Sequence, residues 1–65
     1  MKYYMIYGKH RNDKRFKPLD YSEGIFVTNR IYASMFREYE LPRVKKAVDF
    51  MNKNNKDYMF EVRTI

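Results

Sequence analysis

The spacing of apolar residues predicts one helix in the last third of the chain. From Leu41 to Met51, apolar side chains recur every three or four residues, as along one face of a helix. Pro42 suits the first helical turn, where its missing N–H would have no partner. Polar residues 52–57 end the pattern, and we expect Asn54 or Asn55 to close the helix in the left-handed conformation.

Four further segments have strand character. Tyr58–Ile65 alternates between apolar and polar residues, with Tyr58, Phe60 and Val62 predicted to point inward. Lys2–Gly8 is apolar on both faces, which predicts a central strand. Gly24–Thr28 places three consecutive β-formers after a glycine. Ile31–Arg37 fits alternation or a helical turn, and we favour the strand.

Residues 16–19 precede a segment of turn composition, and Pro18 restricts the residue before it to extended backbone. They therefore form at most a short extended piece.

These elements predict a single α+β domain over residues 1–65. A three- to four-stranded, mainly antiparallel sheet with one helix packed on one face would bury both patterns. The order is β-β-β-α-β, or β-β-α-β if the segment before the helix is not a strand. Because the chain has no cysteine, disulfides do not stabilise it, and the core must be built from Tyr, Phe, Met, Ile and Val.

Positive charge is concentrated in residues 9–17. The formal net charge is +6, and this segment has five basic residues against the single acid Asp13. Such a field attracts nucleic acid or acidic protein surfaces. Phosphate contacts combined with base stacking on aromatic rings are the usual chemistry of single-strand binding. The candidate binding residues are Lys9, Arg11, Lys14, Arg15, Phe16 and Lys17, with Tyr7 and Tyr21 as further stacking candidates.

Aromatic residues are numerous enough to leave some of them exposed. Seven Tyr and five Phe exceed what one helix on a small sheet can bury. Since Tyr is well suited to protein interfaces, the alternative function is a protein-interaction or homodimerising module whose charge serves only solubility. Its candidate interface residues are Tyr32, Phe36, Tyr39 and Phe50.

No recognisable pattern of catalytic or metal-binding residues occurs in the sequence. His10 is the only histidine, and we interpret it as an ordinary surface residue because no Ser or Cys nucleophile lies close to it in the sequence. The acidic residues lack the spacing of a metal-binding loop. Gly8 and Gly24 are too far apart for a phosphate-binding loop. We therefore expect a non-enzymatic binding protein without a cofactor or a metal.

Four segments together resemble a group of mobile-element proteins. Their sequences are Gly-Ile-Phe-Val-Thr-Asn at 24–29, Ile-Tyr-Ala-Ser-Met-Phe at 31–36, Phe-Met-Asn-Lys-Asn at 50–54 and Phe-Glu-Val-Arg at 60–63. This layout resembles small uncharacterised proteins encoded on phages and conjugative elements of Gram-positive bacteria. The resemblance implies an accessory role in a mobile element and brings no catalytic residues.

The apolar run near the N-terminus predicts neither an export signal nor a membrane span. Tyr3 to Tyr7 precede Gly8 and a charged segment, and this run is too short for either. We therefore expect a cytoplasmic protein with no membrane partner.

Overall fold

A computed structural model describes residues 2–65 as a five-stranded antiparallel sheet with one helix on one face. The predicted α+β class, with a single helix packed on a mainly antiparallel sheet, is confirmed. The elements are β1 (Tyr3–His10), β2 (Lys17–Asp20), β3 (Ile25–Phe26), β4 (Met35–Arg37), α1 (Leu41–Asn54) and β5 (Tyr58–Thr64). Within residues 2–65, no helix has the length and apolar character needed to cross a membrane.

The first strand, β1, is the centre of the sheet. One of its edges pairs along its length with β5. Its other edge is shared, because Tyr7 and Gly8 pair with β2 while Tyr3–Met5 pairs with β4. The short β3 pairs with β2. The prediction of a central first strand is therefore confirmed, and the strand continues beyond Gly8 to His10.

The main core lies between α1 and the sheet. Ile6 from β1 packs with Leu19 from β2 and with two helix residues one turn apart, Val44 and Val48. Partly buried residues surround this group, and they are Phe26, Phe36, Met51, Phe60 and Val62. Phe60 and Val62 thus point inward as predicted. Burying this apolar surface is the main source of stability for the domain.

The opposite face of the sheet also buries a side chain. Met5 is 1% exposed, like its neighbour Ile6, although consecutive residues of a strand point to opposite faces. Its register partners are Met35 on β4 and Arg63 on β5. We call this side, on which no α-helix of residues 2–65 lies, the helix-free face.

The start of α1 agrees with the sequence prediction, and its end does not. Pro42 lies in the first turn, as expected. At the other end, Asn55 has extended backbone (φ −127°), and no residue other than glycine has positive φ in the described part of the chain. The left-handed cap at Asn54 or Asn55 is therefore wrong. The helix is instead tied to β5 by Asn52, whose side-chain amide exchanges two hydrogen bonds of 2.8 and 3.0 Å with the backbone of Phe60.

The segment Ile31–Arg37 is a strand only in its last three residues, Met35–Arg37. Residues Arg30–Tyr32 form a 3-10 turn, because the side chain of Asn29 accepts a hydrogen bond of 3.1 Å from the N–H of Ile31. Asn at this position competes with extended backbone by bonding to its own chain.

Two other strand boundaries also differ from the prediction. The strand expected at Gly24–Thr28 is confined to Ile25–Phe26. The extended piece expected at residues 16–19 is a true strand, Lys17–Asp20, because it pairs with both β1 and β3. A second 3-10 turn, Glu38–Glu40, leads from β4 into α1.

Gly8 is required because two aromatic rings lie directly above it. A Cβ atom at this position would be 2.6 Å from Phe60 and 2.9 Å from Phe26, far inside van der Waals contact. A side chain on this residue of β1 would force both rings out of their packed positions.

We predict that Gly8→Ala lowers the free energy of unfolding by about 1–3 kcal/mol, the usual cost of overpacking. Urea denaturation would measure this loss. Gly24→Ala is the matched control, since its Cβ would meet open space and only the positive φ of 68° is strained; we expect a cost of about 1 kcal/mol there. Unchanged or increased stability of Gly8→Ala would show that the rings move aside without cost.

Candidate nucleic-acid interface

The basic segment, residues 9–17, lies at one end of β1 and has side chains on both faces of the sheet. Lys9 lies on the helix-free face, whereas Lys17 is the register partner of Gly8 and lies on the helix side. Residues 11–16 form the loop between the two strands. Three hydrogen bonds fix the loop. The N–H of Arg11 donates to the carbonyl of Asp57 over 2.8 Å, and the N–H of Asp13 donates to the carbonyl of His10 over 2.9 Å. The ammonium group of Lys9 donates to the carbonyl of Asp13 over 2.9 Å.

A group of cations and aromatic rings occupies the helix-free face beside this loop. The guanidinium carbon of Arg63 lies 4.6 Å from the ring centre of Tyr7 and 4.8 Å from that of Phe16. The ammonium nitrogen of Lys9 lies 5.4 Å from the Phe16 ring centre. All three distances are within the range of cation–π attraction. We call Tyr7, Lys9, Phe16 and Arg63 the cation–π cluster.

Strand register brings these four residues together. Tyr7 and Lys9 alternate on one face of β1. Arg63 pairs with Met5, the residue two positions before Tyr7, so Arg63 is a diagonal neighbour of the Tyr7 ring. On the other side Pro18 pairs with Tyr7, which places Phe16 on the same face next to Lys9. The cluster therefore depends on pairing between three strands.

Glu61 orients the guanidinium group of Arg63. The Nε of Arg63 donates a hydrogen bond of 2.5 Å to a carboxylate oxygen of Glu61, and both side chains are 43% exposed. Because Nε is occupied, the remaining guanidinium N–H groups are the ones that can face a ligand. Glu61 therefore balances the positive charge of Arg63 but not that of Lys9.

The exposed loop supplies the larger part of the positive charge. Arg11, Lys14, Arg15 and Lys17 are exposed, and none of them forms an ion pair with any residue from 2 to 65. Unpaired cations on a short loop are available to neutralise phosphates. Together, the loop and the cluster combine phosphate-binding groups with planar groups on which bases can stack.

The structure brings together some of the predicted binding residues and separates others. Lys9 and Phe16 are in contact, and Tyr7 belongs to the same cluster. Tyr21 does not belong to it, because its ring meets Phe36 edge to face at 6.3 Å on the helix side.

Arg63 was missed as a binding candidate by the sequence analysis. Its alternation pattern placed it outward on the last strand. Only the register between β1 and β5 shows that it lies beside Tyr7.

The candidate interface aromatics lie on separate elements. Tyr32, Tyr39 and Phe50 are 67%, 78% and 67% exposed, and they belong to the two 3-10 turns and to α1. Phe36 on β4 is half-buried and packs against the core. Replacing Phe36 would therefore affect folding as well as any interface.

His10 is the last residue of β1 and is half-buried. Its Nδ1 accepts a hydrogen bond of 3.2 Å from the N–H of Asn12, and its ring meets Tyr58 edge to face at 5.3 Å. His10 thus helps to shape the start of the basic loop. Over residues 2–65, no three His, Cys, Asp or Glu side chains come together as a metal site would require.

Comparisons of the chain with protein-family models, with curated proteins and with solved structures gave no significant match. A function for this protein must therefore be inferred from its own geometry.

We predict that Arg63 and Phe16 stabilise the fold as a coupled pair. In a double-mutant cycle with Arg63→Met and Phe16→Leu, the coupling free energy should be about 0.5–1 kcal/mol, as for partly exposed cation–π contacts. Urea denaturation of the four proteins measures it. Arg43→Met on the outer face of α1 is the matched control and should be additive with Phe16→Leu. Additive effects of Arg63→Met would contradict the pairing.

Proposed function

We propose that this protein is a small, non-enzymatic accessory protein that binds single-stranded nucleic acid. The loop formed by residues 9–17 would contact the phosphates, and the cation–π cluster would contact bases. The observation that carries this proposal is the position of Lys9 and Arg63 on the rings of Phe16 and Tyr7, directly beside a loop with unpaired cations. In keeping with the expectations from the sequence, we propose that the protein acts in the cytoplasm as an accessory protein of a mobile element.

The geometry favours single strands over duplexes. A flat group such as the Arg63 guanidinium or an aromatic ring can stack on a base only when that base is unstacked from its neighbours. The cluster lies on the face of a sheet, and among residues 2–65 no α-helix lies on this side to enter a major groove. An acidic protein surface would be attracted by the same loop, but it would not need the planar groups beside it.

We predict that the triple substitution of Arg11, Lys14 and Arg15 by Ala weakens binding of a single-stranded oligonucleotide at least about tenfold at ~150 mM salt. It should also lower the slope of log affinity against log salt by roughly two, because about 0.7 counterions are released for each phosphate contact on single strands. Fluorescence anisotropy of labelled single- and double-stranded oligonucleotides, titrated from low to physiological salt, measures both quantities.

The matched control removes the same number of charges from the outer face of the helix. Lys45, Lys46 and Lys53 are exposed there, and their triple substitution by Ala should leave affinity within about twofold of the wild type. Equal losses in the two variants would indicate nonspecific attraction to net charge. Failure of the wild-type protein to bind any oligonucleotide at physiological salt would refute the nucleic-acid proposal and direct the search to an acidic protein.

A second candidate function is homodimerisation through exposed aromatic residues. Ile31 and Tyr32 are 70% and 67% exposed, although the 3-10 turn that carries them is held by the Asn29 cap. Because the backbone of this turn is already held, binding through it costs little backbone entropy. A second copy of the chain would bury it.

If this second candidate is correct, the protein should sediment increasingly as a dimer as its concentration rises. The double variant Ile31→Ser, Tyr32→Ser should then remain a monomer over the same range. The loop variant with three Ala substitutions is the control, and it should sediment like the wild type. A wild-type protein that is monomeric at all concentrations would exclude a homodimer.

A further inference from the structure

A second group of aromatic rings lies on the other side of the sheet, at the same end of β1 as the basic loop. Phe26, Tyr58 and Phe60 line an open depression of about 450 Å³, together with Leu19, Gly24 and Ile25. These residues come from β2, β3, β5 and the turn before β3. The depression therefore adjoins the main core, to which Leu19 belongs and against which Phe26 and Phe60 pack.

The three rings form a layer. Their planes are within 28° of one another, and every pair of ring centres is 6.0–6.4 Å apart. Three centres at equal distances form a triangle, whereas a column of rings would place its two outer members twice as far apart as neighbours. The rings are therefore grouped as a triangle of nearly parallel planes rather than as one column.

Gly8 is the reason that the layer can lie so close to the sheet. Phe60 is its direct register partner, and the rings of Phe60 and Phe26 occupy the space where a Cβ atom would be. Tyr58, the next inward residue on β5, is 38% exposed, so the layer is open to solvent on this side. An aromatic surface that is partly exposed and held by backbone pairing is preorganised for stacking.

Positive charge borders this layer as well as the helix-free face. Lys17 is paired with Gly8 beneath the rings, and it is exposed. Arg11 is held near Tyr58 by its backbone hydrogen bond of 2.8 Å to Asp57. Acidic residues flank the depression too, since Glu23 precedes Gly24 and Asp57 precedes Tyr58. The basic loop has five cations against the single acid Asp13, so a polyanion is favoured at the rim that this loop forms.

We propose that this depression holds a nucleobase of the same single strand, stacked on the Tyr58 ring, with the adjoining phosphate near Lys17. The inference rests on the proposed function and extends it, because it gives the basic loop a stacking surface on each face of the sheet. A bound strand would pass around the end of β1, with the loop at the turn. The aromatic layer supplies stacking, which every base can provide, and so sets no base preference.

The test compares Tyr58→Leu with Tyr58→Phe. Leu keeps an apolar side chain of similar length but has no ring, whereas Phe keeps the ring and loses only the hydroxyl. With a labelled thymidine oligonucleotide of about 12 nucleotides, we expect Tyr58→Leu to weaken binding at least about fivefold, and Tyr58→Phe to stay within about twofold of the wild type. The salt slope should be unchanged in both variants, because no phosphate contact is lost.

Cross-linking of the wild-type protein provides a second measurement that does not depend on a variant folding. Oligonucleotides carrying 5-iodouracil would be irradiated in complex with the protein and the adducts mapped by mass spectrometry. We expect adducts on Tyr58 or Phe26 in addition to those on Tyr7 or Phe16. Thermal denaturation shows whether Tyr58→Leu is folded, so that its affinity can be interpreted. If this variant is unfolded, the wild-type adducts alone test the inference.

The outcomes separate this inference from the proposed function. Wild-type affinity of folded Tyr58→Leu, or adducts confined to Tyr7 and Phe16, would overturn the second stacking surface and leave nucleic-acid binding by the loop in place. A wild-type protein that binds no oligonucleotide would overturn both.

Discussion

The architecture depends on β1, which uses both of its edges and both of its faces. One edge pairs with β5, and the other is divided between β2 and β4. Ile6 and Met5 are each 1% exposed, yet they point to opposite sides of the sheet. A single helix can cover only one of these sides. The other must be covered by side chains alone, and this requirement explains why bulky residues such as Tyr7, Phe16 and Arg63 lie over the helix-free face.

The same strand explains why both candidate stacking surfaces lie near one loop. Tyr7 and Gly8 are consecutive and so lie on opposite faces. Tyr7 belongs to the cation–π cluster, and Gly8 lies beneath the aromatic layer. The basic loop joins β1 to β2 just beyond these two residues, and both strands contribute to both faces. Positive charge in this short connection therefore borders both groups of rings. The arrangement follows from hairpin topology and needs no additional element.

Features encoded in local periodicity could be predicted from the sequence, and features fixed by pairing over a distance could not. The helix stripe from Leu41 to Met51 and the alternation of β5 were visible, since each repeats over several residues. The strand Lys17–Asp20 was not, because Pro18 and the turn after it obscure a segment that is extended mainly through its partners. Likewise, the charge of the basic loop was evident from the sequence. The position of Arg63 on β5, diagonally across from Tyr7, was not, because it depends on strand register.

The cation–π cluster also determines how a base could be recognised on the helix-free face. Arg63 lies within 5 Å of two ring centres, so each of these rings already has a cation in contact with it. A base that reached this face would meet the guanidinium group together with the two rings, and the hydrogen bond to Glu61 orients that group. Guanidinium planes stack on bases much as aromatic rings do, while their charge also attracts the adjoining phosphate. Neither interaction reads the hydrogen-bonding edge of a base, so binding through this cluster would tolerate many sequences and depend strongly on salt.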